Sequence, residues 1–289
     1  MKLEISDKIG IIALAGVCNK DKLVKAREWF EKLGFEVEFS QNIYDENNYL
    51  AGNDEDKINE LHRFFEDSSI KLILNARGGY GSIRLLDKID YELIKNNPKP
   101  FCGYSDITAL LLMIYKNAGI ETYHSPMALS GFAYDEQKKY NYEEFIKAIS
   151  GDKYILEGSK TYRTGTAEGI IWGGNLSTVV SLCGLDFIPD KEFIFFTEDL
   201  NEPVYKIDKM FQQLFNIEKF REKCKGIALG DFLKPDNQVW LEKYLYEFAE
   251  KYSIPMYGGF KITHMEVKTT IPIGRDAMLK DNCLVIHKR

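Results

Sequence analysis

Long apolar runs, paired cysteines and an excess of basic residues are all absent from this chain, and each absence excludes a class of protein. The longest apolar stretch, 109–115, falls far short of the about 20 residues that cross a bilayer. Residues 1–14 are interrupted by Glu4, Asp7 and Lys8, so they lack the apolar core and small-residue cleavage site of a secretory signal. The five cysteines, Cys18, Cys102, Cys183, Cys224 and Cys283, are an odd number without a C-x-x-C pair, which gives neither a disulfide framework nor a zinc knuckle. A soluble, cytoplasmic protein with reduced, mostly buried thiols is expected. The formal charge of −6, with lysines interspersed among acids, provides no basic field for a phosphate backbone. Nucleic acid and membrane are therefore not expected partners. Histidine is scarce as well, with four in all.

What is present is enough apolar residue, 45% of 289, to bury one large core or two modest ones. The first half alternates β-rich runs with helical patterns: 10–14 then 22–33, 35–39 then 55–65, 70–75 then 82–94. This is the βαβ signature of a parallel sheet covered by helices. A further run at 100–104 leads into an apolar helix at 107–115, and 121–123 adds one more short strand. Chemistry in such sheets sits at the carboxyl ends of the strands, so the loops after Asn75 and Tyr104 are the ones to inspect. From 131 to 166 the chain turns polar, and the expected division is an N-terminal α/β domain at 1–135, a linker region at 136–165 and an α+β domain of unassigned topology at 166–289.

Phe101-Cys102-Gly103-Tyr104-Ser105-Asp106 places a serine where a strand gives way to a helix. There a hydroxyl meets unpaired backbone N–H groups and the positive end of the helix dipole, which favour the negative charge of acyl transfer. The same residue types also cap helices, and the G-x-S-x-G pattern is incomplete because Ile107 replaces its second glycine. Arg77-Gly78-Gly79-Tyr80-Gly81-Ser82 follows the strand at 70–75. Its G-x-G-x-x-G spacing fails at Arg84, and it follows a later strand than a dinucleotide cradle requires. The alternative is that the Gly79 N–H faces the Ser105 turn and joins the Asp106 N–H as an oxyanion hole.

A base must come from few candidates. His62 sits in a charged helix and His287 close to the last residue, whereas His124 and His264 both occupy loops; His264, among glycines and polar residues that no core periodicity explains, is slightly preferred. The apolar run at 193–197 ends in Glu198 and Asp199. Carboxylates at the rim of a buried strand need a partner such as histidine, but periodicity does not separate these two. Arg77 is a candidate for a substrate carboxylate or a brace for its own loop. Tyr80, Trp172 and Asn175 are candidate pocket residues, and Cys102 is a remote alternative nucleophile.

Taken together, Ala76-Arg77-Gly78-Gly79-Tyr80-Gly81, Gly103-Tyr104-Ser105-Asp106-Ile107-Thr108-Ala109-Leu110, Gly173-Gly174-Asn175-Leu176, the strand reaching Glu198-Asp199, and His264 ahead of Pro272-Ile273-Gly274 resemble the LD-carboxypeptidases and the related microcin C self-immunity peptidases. The resemblance covers nearly the whole chain in order. It implies a Rossmann-like N-terminal domain, a smaller C-terminal domain, a Ser105–His264–Glu198 triad, an oxyanion hole from the Gly79 and Asp106 amides, no metal or cofactor, and a homodimer. The implied activity is hydrolysis of an L,D-amide of a small peptide, releasing the terminal D-alanine of murein tetrapeptides, with cleavage of a peptidyl-nucleotide as the alternative and a non-catalytic binding module as the alternative of another class. Departures are Ala13-Leu14-Ala15-Gly16 in place of an A-P-S ending, His124-Ser125-Pro126 in place of H-G-P and Thr263-His264 in place of G-H.

Overall fold

The computed structural model describes residues 3–133 and 137–289. The chain forms two compact units, one of residues 1–151 and 266–272, the other of 152–265 and 273–289. The boundary expected at 135/136 lies outside the described residues. The span expected as linker carries a helix of the first unit, Lys138–Ser150, and two strands of the second, Tyr154–Glu157 and Lys160–Arg163.

The first unit is built on β1 (Lys8–Ile12), β2 (Glu36–Phe39), β3 (Ile70–Asn75), β4 (Phe101–Gly103) and β5 (Thr122–His124), with a sixth strand, Ile271–Ile273, at the β5 edge. The pairs β1–β2, β1–β3, β3–β4 and β4–β5 are parallel. The parallel sheet is thus as expected, and its order, 2-1-3-4-5, is the flavodoxin-like doubly wound one, whose switch point falls between β1 and β3. Helices begin where the sequence supplies caps: Asn19 accepts from the Lys22 N–H ahead of Lys20–Lys32, and Asn53 from the Asp56 N–H ahead of Asp54–Glu66. The single helix expected at 82–94 is instead a 3-10 turn, Ser82–Leu85, followed by Tyr91–Asn96. Asp90 causes the break, since its carboxylate accepts from the Leu93 N–H and starts a new helix. Helix Thr108–Ala118 is buried almost throughout and stops at Gly119, which takes the left-handed conformation at φ 71°.

The second unit holds β6 (Tyr154–Glu157), β7 (Lys160–Arg163), β8 (Thr166–Asn175), β9 (Phe193–Leu200), β10 (Cys224–Leu233) and β11 (Met256–Gly258), then, after the Ile271–Ile273 strand, β12, comes the hairpin of β13 (Asp276–Lys280) and β14 (Cys283–Ile286). Strands β8, β9, β10 and β11 are parallel neighbours, while β13, β14, β6 and β7 extend the sheet antiparallel. Its core is aromatic: Trp172 packs on Phe187, Phe193, Phe195 and Phe220 at ring separations of 5.0–6.1 Å. Gly173 lets β8 lie against β9, because a Cβ there would sit 2.0 Å from the Phe196 carbonyl oxygen. Register then sets Asn175 beside Glu198. Among the described residues, no helix is long and apolar enough to cross a membrane.

Candidate active site

In the first unit the strand-to-helix turn is sharp. Tyr104 is extended, at φ −155°, and Ser105 reverses the chain at φ 62° before the helical turn Ser105–Ile107 begins. A non-glycine residue in that region costs about 1–2 kcal/mol and persists only when its surroundings hold it there. Ile107, where the motif would have its second glycine, packs against the first. Ile107 is fully buried, and a Cβ on Gly103 would come within 2.8 Å of its Cγ2. Gly103 thus supplies the space that Ile107 fills.

The glycine loop lies against this serine. A Cβ on Gly78 would stand 3.2 Å from Ser105 Oγ and 3.4 Å from the Asp106 nitrogen, so a side chain at residue 78 would crowd the hydroxyl. Sequence reasoning singled out Gly79 and missed this use of Gly78, which looks like any other glycine of the motif. Asp106 fastens loop to turn: its carboxylate accepts from the Ser82 N–H at 2.9 Å and its carbonyl from Ser82 Oγ at 2.5 Å. Burial pushes the Asp106 carboxyl up, and the Ser82 bonds oppose that rise. Among the described residues, the N–H groups of Gly79 and Asp106 have no hydrogen-bond acceptor.

Arg77 braces its own loop, with Nε on the Gly78 carbonyl at 3.0 Å and Nη1 on the Val17 carbonyl at 2.9 Å. Tyr80 is exposed at the end of the loop, its ring 5.7 Å from that of Tyr49. Cys102 is fully buried, and burial pushes its thiol well above the ordinary range, which disfavours the thiolate a nucleophile requires. His124 is buried against the Tyr104 ring, with centroids 5.8 Å apart.

In the second unit β9 ends in the two acids, and their environments differ. The Asp199 carboxylate accepts from Asn175 Nδ2 at 3.0 Å and from the N–H groups of Ser177 and Leu200 at 2.8 Å each, so it secures the start of helix Leu176–Ser181. Glu198 has no exposed surface, and its Oε2 accepts a hydrogen bond from His264 Nδ1–H. An ionised carboxylate only accepts, which places the proton on Nδ1 and leaves Nε2 as the basic nitrogen. Burial pushes the Glu198 carboxyl up; hydrogen bonds from His264 and Asn175 oppose it, and the charge of Asp199 adds to it. The loop bearing His264 is fixed on β10. The Asp231 N–H donates to the Ile262 carbonyl at 2.9 Å, and a Cβ on Gly230 would stand 2.0 Å from that oxygen.

Of the two expected pocket residues on β8, Trp172 lies in the core, whereas Asn175 stands beside Glu198. Trp172 is fully buried in the aromatic core because its strand has neighbours on both sides and helices over its face. Asn175 is a helix cap: its Oδ1 accepts from the Thr178 N–H at 3.1 Å and from the Ser177 and Thr178 hydroxyls.

Residues 9–125 match the LD-carboxypeptidase N-terminal domain and residues 168–279 the LD-carboxypeptidase C-terminal domain. A probable murein peptide carboxypeptidase of Bacillus subtilis (strain 168) is 33% identical over 96% of this chain and 90% of its own length. The microcin C7 self-immunity protein MccF of Escherichia coli is 26% identical over 94% and 90%. The crystal structure of an MccF-like protein from Bacillus anthracis str. Ames superposes with a TM-score of 0.91 at 26% identity, covering 100% of this chain and 98% of that one. The protein is a serine hydrolase of two α/β domains. More narrowly, the chain belongs to the LD-carboxypeptidase family.

Proposed function

We propose that this protein is a cytoplasmic serine carboxypeptidase that hydrolyses an L,D-amide and releases the terminal D-alanine of murein tetrapeptides. The observation that carries this reading is the buried Glu198 bonded to His264 Nδ1, in a chain that also holds a serine at φ 62° on a strand-to-helix turn. In the proposed mechanism His264 Nε2 removes the Ser105 proton as Oγ attacks the scissile carbonyl, and Glu198 holds the imidazole tautomer and stabilises the imidazolium. The Gly79 and Asp106 N–H groups receive the oxyanion, a contribution of about 3 kcal/mol per donor. His264 then protonates the leaving D-amino acid, and water, deprotonated by the same imidazole, hydrolyses the acyl-enzyme. Arg77 acts on substrate only indirectly, by holding the glycine loop; Tyr80 borders the bound peptide. The homodimer belongs to the same reading, and sedimentation at catalytic concentration tests it.

The decisive experiment incubates the wild type and Ser105→Ala with murein tetrapeptide and follows D-alanine by mass spectrometry. Release by the wild type alone is expected. Cleavage of an aminoacyl-sulfamoyl adenylate without cleavage of the tetrapeptide overturns the substrate in favour of a peptidyl-nucleotide. Binding of either compound without turnover overturns the enzymatic reading.

A further inference from the structure

Tyr104, the residue before the nucleophile, is held on one face by a cation that the mechanism above does not use. Lys268 is 2% exposed, and its Nζ lies 4.0 Å from the centroid of the Tyr104 ring. The same Nζ donates to the Ser130 carbonyl at 3.5 Å. The backbone around Lys268 is itself fastened by Asn141, which is fully buried: its Oδ1 accepts from the Lys268 N–H at 3.0 Å, and its Nδ2 donates to the carbonyls of Glu266 at 2.9 Å and Gly131 at 3.0 Å. The imidazole of His124 packs edge-on against the same Tyr104 ring.

We infer that Lys268 is a positioning residue of the nucleophile turn, its buried ammonium pinning the Tyr104 ring so that Ser105 is kept in its left-handed conformation. The physical reasoning begins with cost. A lysine with almost no exposed surface is expensive unless its charge is compensated, and a methionine of similar length would fill the space without that expense. What the ammonium adds is direction, because attraction to the negative face of an aromatic ring fixes both the ring and the cation. Relaxation of Ser105 out of positive φ requires the extended Tyr104 to swing, and a ring pinned on its face resists that movement. A lysine that only filled space would leave the ring free to turn.

The inference rests on Ser105 being the nucleophile, and the test separates the two claims. Lys268→Met, Lys268→Arg and Asn141→Ala are compared with the wild type in three measurements on the full chain: kcat and KM for D-alanine release, the rate at which a fluorophosphonate labels Ser105, and amide hydrogen exchange of a peptide spanning 104–107 against one from the 238–251 helix. The expected result for Lys268→Met is a kcat lowered about tenfold or more with KM little changed, a displacement cost of the kind a small misplacement of a reacting group produces. Labelling slows in proportion, and exchange quickens at 104–107 but not in the control helix. Lys268→Arg, which keeps the cation, restores most of the rate. Wild-type labelling without D-alanine release would overturn the substrate assignment and leave the labelling and exchange comparisons to decide on Lys268. Unchanged labelling and exchange in Lys268→Met, or acceleration in both peptides alike, would overturn the positioning role.

Discussion

Glu198 reaches His264 through the Nδ1 nitrogen of its ring, from a carboxylate with no exposed surface. That choice of nitrogen determines the chemistry, because a carboxylate on Nδ1–H leaves Nε2 free to accept a proton. In Glu198→Gln the amide can donate to Nδ1 and reverse the tautomer. The expected loss in kcat is about 10³ to 10⁴-fold with the fold intact, measured by D-alanine release alongside far-UV circular dichroism.

The burial of Glu198 also predicts a pH signature. Its carboxyl is raised above the ordinary value of 4.5, so it takes up its proton at higher pH than an exposed glutamate. A raised acid contributes stability that is fully present below its unfolded pKa and is lost as pH rises through the folded one. Glu198→Gln carries no such proton. Denaturant melts from about pH 4 to neutrality should show the variant gaining on the wild type as pH rises; a constant difference would contradict the assigned burial effect.

Strain at Ser105 predicts that two inactive variants will differ in stability. Ser105→Ala keeps a Cβ in the left-handed region, whereas Ser105→Gly removes it. The glycine variant is expected to be more stable than the alanine variant by about 1 kcal/mol, with both devoid of activity. Equal melting temperatures would mean that residue 105 is not held under strain.

How much of this was legible in the sequence depends on whether a feature is periodic. The βαβ alternation fixed the parallel sheet of the first unit, since runs such as that of Ile70–Asn75 are long enough to show a pattern. The three-residue strands Met256–Gly258 and Ile271–Ile273 are too short to do so. The Ser105 turn could be located from its glycine and the helix that follows, but not its positive φ. Glu198 and Asp199 were inseparable by composition, yet successive strand residues point to opposite faces, and only coordinates show which face meets His264. Trp172 was misplaced for a related reason: a strand buried on both faces carries no alternation to tell core from pocket. Lys268, in a loop of threonines, carries no signal at all.

Crowding at Gly78 separates catalysis from stability. Its φ is not in the positive region, so alanine meets no backbone penalty there, but the added methyl would lie 3.1 Å from Ser105 Cβ and 3.2 Å from Oγ. The serine must yield by a few tenths of an ångström. Gly78→Ala is expected to lower kcat by about 10 to 100-fold while shifting stability by no more than about 1–2 kcal/mol. Unfolding of the variant, or full activity, would each contradict this placement of the loop.

The last prediction concerns a lysine far from the chemistry. Lys99 is 8% exposed, and its Nζ donates to the carbonyls of Phe64 at 2.9 Å and Asp67 at 2.7 Å, at the end of helix Asp54–Glu66. Burial lowers its pKa to about 8, against the opposing pull of Asp67. For a base depressed on folding, the stability it contributes is complete above the unfolded pKa of 10.5 and is lost as pH falls through about 8. The wild type should therefore gain on Lys99→Met between about pH 7 and pH 10.5, by roughly 3 kcal/mol in all. The hydrogen bonds lost in the variant shift the whole curve by a constant and leave its slope unaltered. Urea titrations of both proteins at half-unit pH intervals measure that slope directly, and parallel curves would show that Lys99 titrates in the folded protein as it does in the unfolded chain.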